Sequence, residues 1–257
     1  MTELILASVL TVVPPIMTMM TAATPLVFAA TGELICEKSG VLNLGVEGMM
    51  LIGAVFGFAT AAVTGSASLG LLAAAVAGML ASLIFAVLTL TLLSNQVATG
   101  LALTIFGTGL SALVGFDYVG ETIERIGTVH LPFLSDIPVI GRLVFGHDPL
   151  VYLGILVLLG SGWFLNHSRW GMVLRAVGDS DVSAHAIGYP VVAIRFAAVS
   201  FGGLMAGLGG GYLSLIYTPL WAENMTAGRG WIALALVVFA SWRPGRVLFG
   251  AILFGGI

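Results

Sequence analysis

The side chains able to do chemistry in this sequence are few and they cluster. The stretch CEKSGVLNLGVEGMM, Cys36–Met50, sets Glu37, Lys38, Asn43 and Glu47 among Gly40, Gly45 and Gly48, between two long apolar runs. Asn95, Gln96, Thr99 and Thr104 form a second polar group beside another apolar run. Amides, hydroxyls and carboxyls of this kind can hydrogen-bond a polar molecule. Covalent catalysis is not suggested: no serine sits in Gly-x-Ser-x-Gly, and no serine or cysteine has a base that the sequence places beside it. A metal centre is not suggested either. His130, His147, His167 and His185 form no HExxH spacing, and Cys36 is the single cysteine, so no disulfide can form within the chain. The glycine run GLGGGYLS, Gly207–Ser214, lacks the lysine that would reach nucleotide phosphates, which leaves helix packing as its reading.

The elements that must position these groups follow from composition. Of 257 residues, 59% are hydrophobic and 8% are charged, against about 25% charged in a soluble domain. So little charge cannot cover a water-facing surface, and most of the surface must face lipid. The sequence predicts an all-α polytopic membrane protein. Its net charge of −3 gives no basic field for nucleic acid. Polar groups at membrane depth are costly and mark function. Asn43, Glu47, Asn95, Gln96 and Thr99, with Thr104, are therefore candidates to line a translocation pathway. Each has a structural reading as well. Asn43 can cap the helix after it, Glu47 can sit in that helix's first turn where the dipole favours an acid, and Asn95-Gln96 can form a turn.

A helix needs roughly 20 apolar residues to cross a bilayer. Pro14-Pro15 and Pro25 interrupt the first apolar region, which predicts a short N-terminal helix and then a span over residues 15–35. Further spans are predicted over 44–64, 69–93, 97–116, 150–165 and 191–217. The N-terminus carries Glu3 and no basic region, so the first run is read as a retained span and not a cleaved signal. Residues 218–230 are predicted to fold back into the membrane, sharing depth with the short apolar run 231–242. The run 247–257 is too short to cross, and the expectation is a chain truncated at its C-terminus. In total about 7–9 transmembrane or re-entrant helices form a single transmembrane domain over 1–257. Gly203, Gly207 and Gly211, and Gly53 and Gly57, recur every fourth residue and predict tight helix–helix contacts.

Two segments break the apolar pattern. Residues 117–149 hold five of the twelve acidic residues, with Pro132 and Pro138 among them, and read as an aqueous loop. Residues 166–190 contain SRWGMVLRAVGDSDVSAHAIG, where Trp170, Val173, Leu174 and Val177 repeat at helical spacing before Gly178-Asp-Ser-Asp181 breaks the helix. Ser180 or Asp181 can cap a second short helix. The pattern is an amphipathic helix–turn–helix, either lying in the headgroups or docking a soluble partner. Placing it in the cytoplasm puts Lys38, Arg169, Arg175, Arg195, Arg243 and Arg246 inside, and Arg125, Arg142 and Arg229 outside, which the positive-inside rule favours. The 117–149 loop is then extracytoplasmic.

Three landmarks carry a family resemblance. GMVLRAVGDSDVSAHAIGYP, Gly171–Pro190, resembles the cytoplasmic coupling segment of permease subunits in ATP-binding-cassette importers, in the group that takes up branched-chain amino acids, ribose and nucleosides. Its Gly-x-x-x-Arg-Ala-x-Gly core is Gly171, Arg175, Ala176 and Gly178. ICEKSGVLNLGVEGMMLIGA, Ile35–Ala54, is similar to the signature of the nucleoside and simple-sugar branch, and MTAGRGWIALALVVFASWRP, Met225–Pro244, to that branch's third landmark. The resemblance implies a permease subunit of the bacterial inner membrane, without a nucleotide site of its own, paired with a second permease subunit in a homo- or heterodimer. It implies a two-module ATPase that uses ATP and magnesium, and an extracytoplasmic binding protein or lipoprotein received by the 117–149 loop. Arg175, Ala176, Val177, Gly178, Asp179 and Ser180 would enter the ATPase. The substrate implied is a nucleoside, with simple sugars or branched-chain amino acids as alternatives. An ion-coupled secondary transporter is the competing class, but the predicted spans hold few ionisable residues, chiefly Glu33 and Glu47 near their ends.

Overall fold

The computed structural model describes residues 2–123 and 146–256. Ten α-helices follow one another among these residues: α1 Thr2–Lys38, α2 Val46–Thr64, α3 Ala67–Ala86, α4 Gln96–Gly115, α5 Pro149–His167, α6 Arg169–Asp179, α7 Asp181–Ala186, α8 Val191–Tyr212, α9 Arg229–Phe239 and α10 Pro244–Gly255. A π-helical turn extends α3 to Thr91 and another extends α8 to Tyr217. The extended backbone pairing among the described residues is confined to two isolated bridges, Val119 with Trp221 and Thr122 with Leu220. Six helices are long and apolar enough to cross a membrane, and α9 and α10 are shorter apolar helices. The protein is an all-α polytopic membrane protein.

One boundary differs from the sequence expectation. The predicted short N-terminal helix and the span after it are one helix, α1, with Pro14, Pro15 and Pro25 inside it. A proline removes one backbone hydrogen bond and crowds the preceding turn. In a bilayer no water competes for the remaining bonds, so the helix continues through the interruption. The other predicted spans match their helices to within a few residues. The 117–149 loop is described only at its ends, and Arg125, His130 and Arg142 lie outside the described residues.

Glycine decides how the spans pack. A Cβ on Gly53 of α2 would lie 2.5 Å from the Cα of Gly207 on α8. A Cβ on Gly107 of α4 would lie 2.6 Å from the Cα of Gly48. One turn before Gly207 on the same face of α8, Gly203 meets Ser82 and Gly78 of α3. The backbones therefore touch without side chains between them, the close approach that stabilises helix pairs where no hydrophobic driving force exists between helices. The four-residue spacing of glycines along α8 presents this surface to α2 and α3 together. Around it the apolar core gathers side chains of α1, α2 and α8, including the fully buried Phe28, Leu34, Met49 and Leu213. α4 sits at the periphery and leaves Ile105, Phe106 and Leu113 exposed.

Candidate functional site

The hairpin of α6 and α7 is built from local bonds. Ser168 Oγ accepts from the Gly171 N–H at 2.9 Å and caps α6. Ser180 Oγ accepts from the Ser183 N–H at 3.3 Å and caps α7, while its hydroxyl donates to Ser183 Oγ at 2.8 Å. Of the two caps foreseen, Ser180 is the one used. Leu174, Val177 and Ala184 are buried on the inner face. Trp170, Met172, Val182 and Ile187 are exposed on the outer face, Val182 at 77%. Within Arg175–Ser180, Ala176, Asp179 and Ser180 face solvent, and Val177 is buried. The Nε of Arg175 is buried without a hydrogen-bond partner.

The hairpin rests on the Cys36–Met50 stretch. Gly178 lies directly on the Lys38 carbonyl and beside Gly40, with no room for a Cβ. Gly40 has φ +82°, a left-handed conformation that glycine adopts without strain. Arg195, near the start of α8, donates from Nε to the Ser39 carbonyl at 3.1 Å and pairs through NH1 with Asp181 Oδ2 at 3.4 Å. One guanidinium thus ties the hairpin to the loop between α1 and α2.

That loop is held from three further sides. Glu33 Oε1 accepts from the Asn43 N–H at 3.1 Å. Gln96 Oε1 accepts from the Leu42 N–H at 2.9 Å, and Thr104 donates its hydroxyl to the Leu44 carbonyl at 3.1 Å. Asn43 is wholly buried, and its Oδ1 accepts from the Gly45 N–H at 3.0 Å. Asn43 therefore closes a turn before α2 and does not cap α2, whose N-cap is Gly45. Asn95 caps α4, accepting from the Ala98 N–H at 3.0 Å. The Thr99 hydroxyl lies 2.9 Å from Ser94 Oγ and bonds the Asn95 carbonyl at 2.8 Å. Ser94 and Thr99 line a groove of about 620 Å³ with Phe85, Leu103 and Phe106. The structure thus brings Asn43, Gln96 and Thr104 onto one loop and places Asn95 and Thr99 apart from it.

Glu47 does something the sequence did not suggest. It lies in the first turn of α2, as expected, but its carboxyl serves α9. Oε1 accepts from Thr226 Oγ1 at 2.5 Å and from the Gly228 N–H at 2.9 Å, and Oε2 accepts from the Gly230 N–H at 2.6 Å. These donors belong to the start of α9 and the segment before it, where free N–H groups need acceptors. A Cβ on Gly230 would lie 2.6 Å from the Cα of Glu47, so only glycine admits the carboxyl this close. Gly48 packs on Leu103, Thr104 and Gly107, the middle of α4, so Glu47 and the Thr226–Gly230 segment it bonds lie level with the middle of that helix. Earlier in the segment predicted to fold back, Leu220 and Trp221 pair with Thr122 and Val119 past the end of α4. Arg229, expected in an outer loop, sits instead at the head of α9, its guanidinium 5.8 Å from the Tyr217 ring.

The far end of α9 returns to the same stretch. Trp242 Nε1 donates to Glu37, and Lys38 Nζ lies 5.7 Å from the Trp242 ring centre. Glu37 and Glu47 therefore hold the two ends of α9. Arg195, Trp242 and the donors on Thr226, Gly228 and Gly230 were not singled out as site residues by sequence reasoning. Arg195 had one signal, a lone cation four residues into an apolar helix; the others had none, because their partners lie far away in the chain.

Comparison with known proteins bears on this arrangement. Residues 16–257 match the family model of the branched-chain amino acid transport system permease component. A Haloferax volcanii protein named as a candidate glucose ABC transporter permease is 45% identical over 238 residues, covering 91% of this chain and 72% of that protein. The nucleoside ABC transporter permease protein of Lactococcus lactis subsp. cremoris is 34% identical over 248 residues, covering 92% of this chain and 78% of that protein. The guanosine ABC transporter permease protein of Bacillus subtilis is 31% identical over 245 residues, covering 91% and 77% respectively.

Proposed function

Because the chain belongs to the family of branched-chain amino acid transport system permease components, we propose that it is the membrane subunit through which an ATP-driven importer moves nucleosides. Family membership makes it an ABC transporter permease, a multi-pass protein of the inner membrane, and sets aside the ion-coupled alternative. The observation that carries the energy-coupling part is the hairpin of α6 and α7. It is rigidly capped, seated on the α1–α2 loop, and it presents Trp170, Met172, Val182 and Ile187 outward. Exposed apolar residues on a water-facing element serve as a docking surface. A partner ATPase receives this hairpin, with Arg175–Ser180 at its turn, and supplies the ATP and magnesium chemistry. An extracytoplasmic binding protein delivers the solute, and a second permease subunit completes the channel.

The polar groups chiefly hold the walls. Asn43, Gln96 and Glu47 spend their hydrogen-bonding capacity on the protein's own backbone. Ser94, Asn95 and Thr99 bond the backbone around the start of α4 in the same way, and of the predicted pathway residues Thr99 is the one that stands on the largely apolar groove between α3 and α4, which makes it the lining candidate. The nucleoside reading is supported by relatives named for nucleosides and for guanosine. A second reading, a simple sugar, is favoured by the relative at 45% identity that is named for glucose. Both solutes are neutral and rich in hydroxyls, so neither calls for a charged clamp. Titrating the partner binding protein with guanosine, other nucleosides, glucose and ribose separates them. Saturable nucleoside binding, with nucleoside uptake through the reconstituted complex, is the expected result; glucose binding alone overturns the nucleoside reading in favour of the sugar one.

A further inference from the structure

We propose that the Cys36–Met50 stretch is the hub that carries displacement of the hairpin to α9, and that Arg195 is the positioning residue at its input. The proposal rests on the importer reading above and deepens it. Three separate elements converge on this stretch. On the water-facing side, Gly178 seats on Lys38, and Arg195 bonds the Ser39 carbonyl and the Asp181 carboxyl at once. On the α4 side, Gln96 and Thr104 bond the Leu42 and Leu44 backbone. On the α9 side, Glu37 takes the Trp242 N–H and Glu47 takes Thr226, Gly228 and Gly230. The hub is stiff between these points: Asn43 closes its turn, Glu33 bonds the Asn43 N–H from α1, and Gly48 and Gly53 hold α2 in backbone contact with α4 and α8.

Coupling between distant sites travels through packed elements and bonded networks that move together. The hairpin joins the body at three places: Gly171 packs on Phe164 of α5, Val177 and Ala184 pack with Val191 of α8, and the turn meets the α1–α2 loop at the Gly178 seat and the Arg195 bridge. The third of these is the one that leads to α9. α9 is bonded at both ends to acids that flank the hub. Thr226 and Gly228, just before it, lie level with the middle of α4 through their bonds to Glu47. A hub that shifts against α4 carries both ends of α9 with it, and with them the re-entrant segment beside the solute's route.

The test uses the complete transporter, with its ATPase and binding protein, reconstituted in liposomes, and measures ATP hydrolysis and solute uptake in parallel. Arg195→Ala keeps the ATPase bound and hydrolysing, while uptake per ATP falls by roughly 2- to 30-fold, the range over which residues on coupling networks act. Arg195→Lys, which keeps the charge beside Asp181 but cannot bond two partners in the same fork, falls between Ala and the native chain. Trp242→Phe removes only the N–H that Glu37 accepts and lowers the same ratio by a smaller factor. Equal losses of hydrolysis and uptake in all three variants, with the ratio unchanged, assign Arg195 and Trp242 to folding alone and overturn the proposal. A native chain that recruits no ATPase overturns the importer reading itself, a separate outcome visible before any variant is made.

Discussion

The hairpin and the re-entrant segment are both short interruptions between spans, yet they are held in opposite ways. The hairpin is shaped by neighbours in sequence, Ser168 and Ser180 each bonding three residues on, and only its seat on Lys38 is remote. The re-entrant segment is secured by Glu47, 179 residues before Thr226 and 183 before Gly230. Water explains the contrast. At the surface a loop that lacks a partner finds solvent, so local caps suffice to shape it. At membrane depth an unpaired N–H has no substitute, and the fold must bring an acceptor from elsewhere. A locally capped element can move as a unit without unravelling, whereas a remotely held one moves only with its holder.

The strongest way to break this contrast is Glu47→Ala. It strands the Gly230 N–H and the Thr226 hydroxyl in the interior and takes the acceptor from the half-buried Gly228 N–H. Each buried donor left without a partner costs about 1–3 kcal/mol. The expected result is a permease that loses transport and unfolds at markedly lower temperature in detergent. Glu47→Gln keeps one acceptor oxygen and falls between the two. Unchanged melting in Glu47→Ala would mean that the segment is held by packing and not by the carboxyl. Next comes Gly178→Val. The new side chain has no space against the Lys38 carbonyl, an overpacking cost of about 1–3 kcal/mol that tilting the hairpin off its seat can relieve. Melting of the spans should change little while co-purification of the ATPase is lost; a global drop in stability instead would show that the hairpin is part of the core. Ser180→Ala is milder, about 1 kcal/mol for a lost cap. Its effect should be confined to faster amide exchange in 182–186, with α2 and α8 untouched. The smallest effect belongs to Gly109→Ala, where a Cβ meets nothing within 4 Å. Alanine in a helix interior gains about 0.5–1 kcal/mol over glycine, so thermal stability should hold or rise slightly.

What the sequence reveals follows the same division. The spans were legible because apolar length reads directly as a crossing helix, and the α2–α8 seam because glycines at four-residue spacing line one helix face. The hairpin was legible down to its cap, since Ser180 bonds within its own turn. The shortness of the apolar run after them predicts that residues 218–230 fold back, and the structure brings the last of them, Thr226–Gly230, level with the middle of α4. The prolines misled: a break that is costly in water proved compatible with one continuous helix in α1. Glu47's partner could not be read, because nothing in a local window distinguishes an acid bonding its own helix start from one bonding a helix almost two hundred residues on. Asn43 shows the converse. Its bond to Gly45 is as local as any cap, but whether the loop that holds it lies buried or open depends on Gln96, Thr104 and Glu33 arriving around it.

The distance in sequence between Glu47 and its donors also sets an order of events during synthesis. α2 is made early, with a carboxyl in its first turn and no donor yet in reach. Thr226, Gly228 and Gly230 emerge only after six long helices and the hairpin have been translated. Until then the Glu47 carboxyl, in the first turn of α2, has none of the three donors it holds in the finished fold. The bond that fixes the start of α9 therefore forms only after residue 230 has been made, so the last third of the chain completes a site that its first fifth had left open.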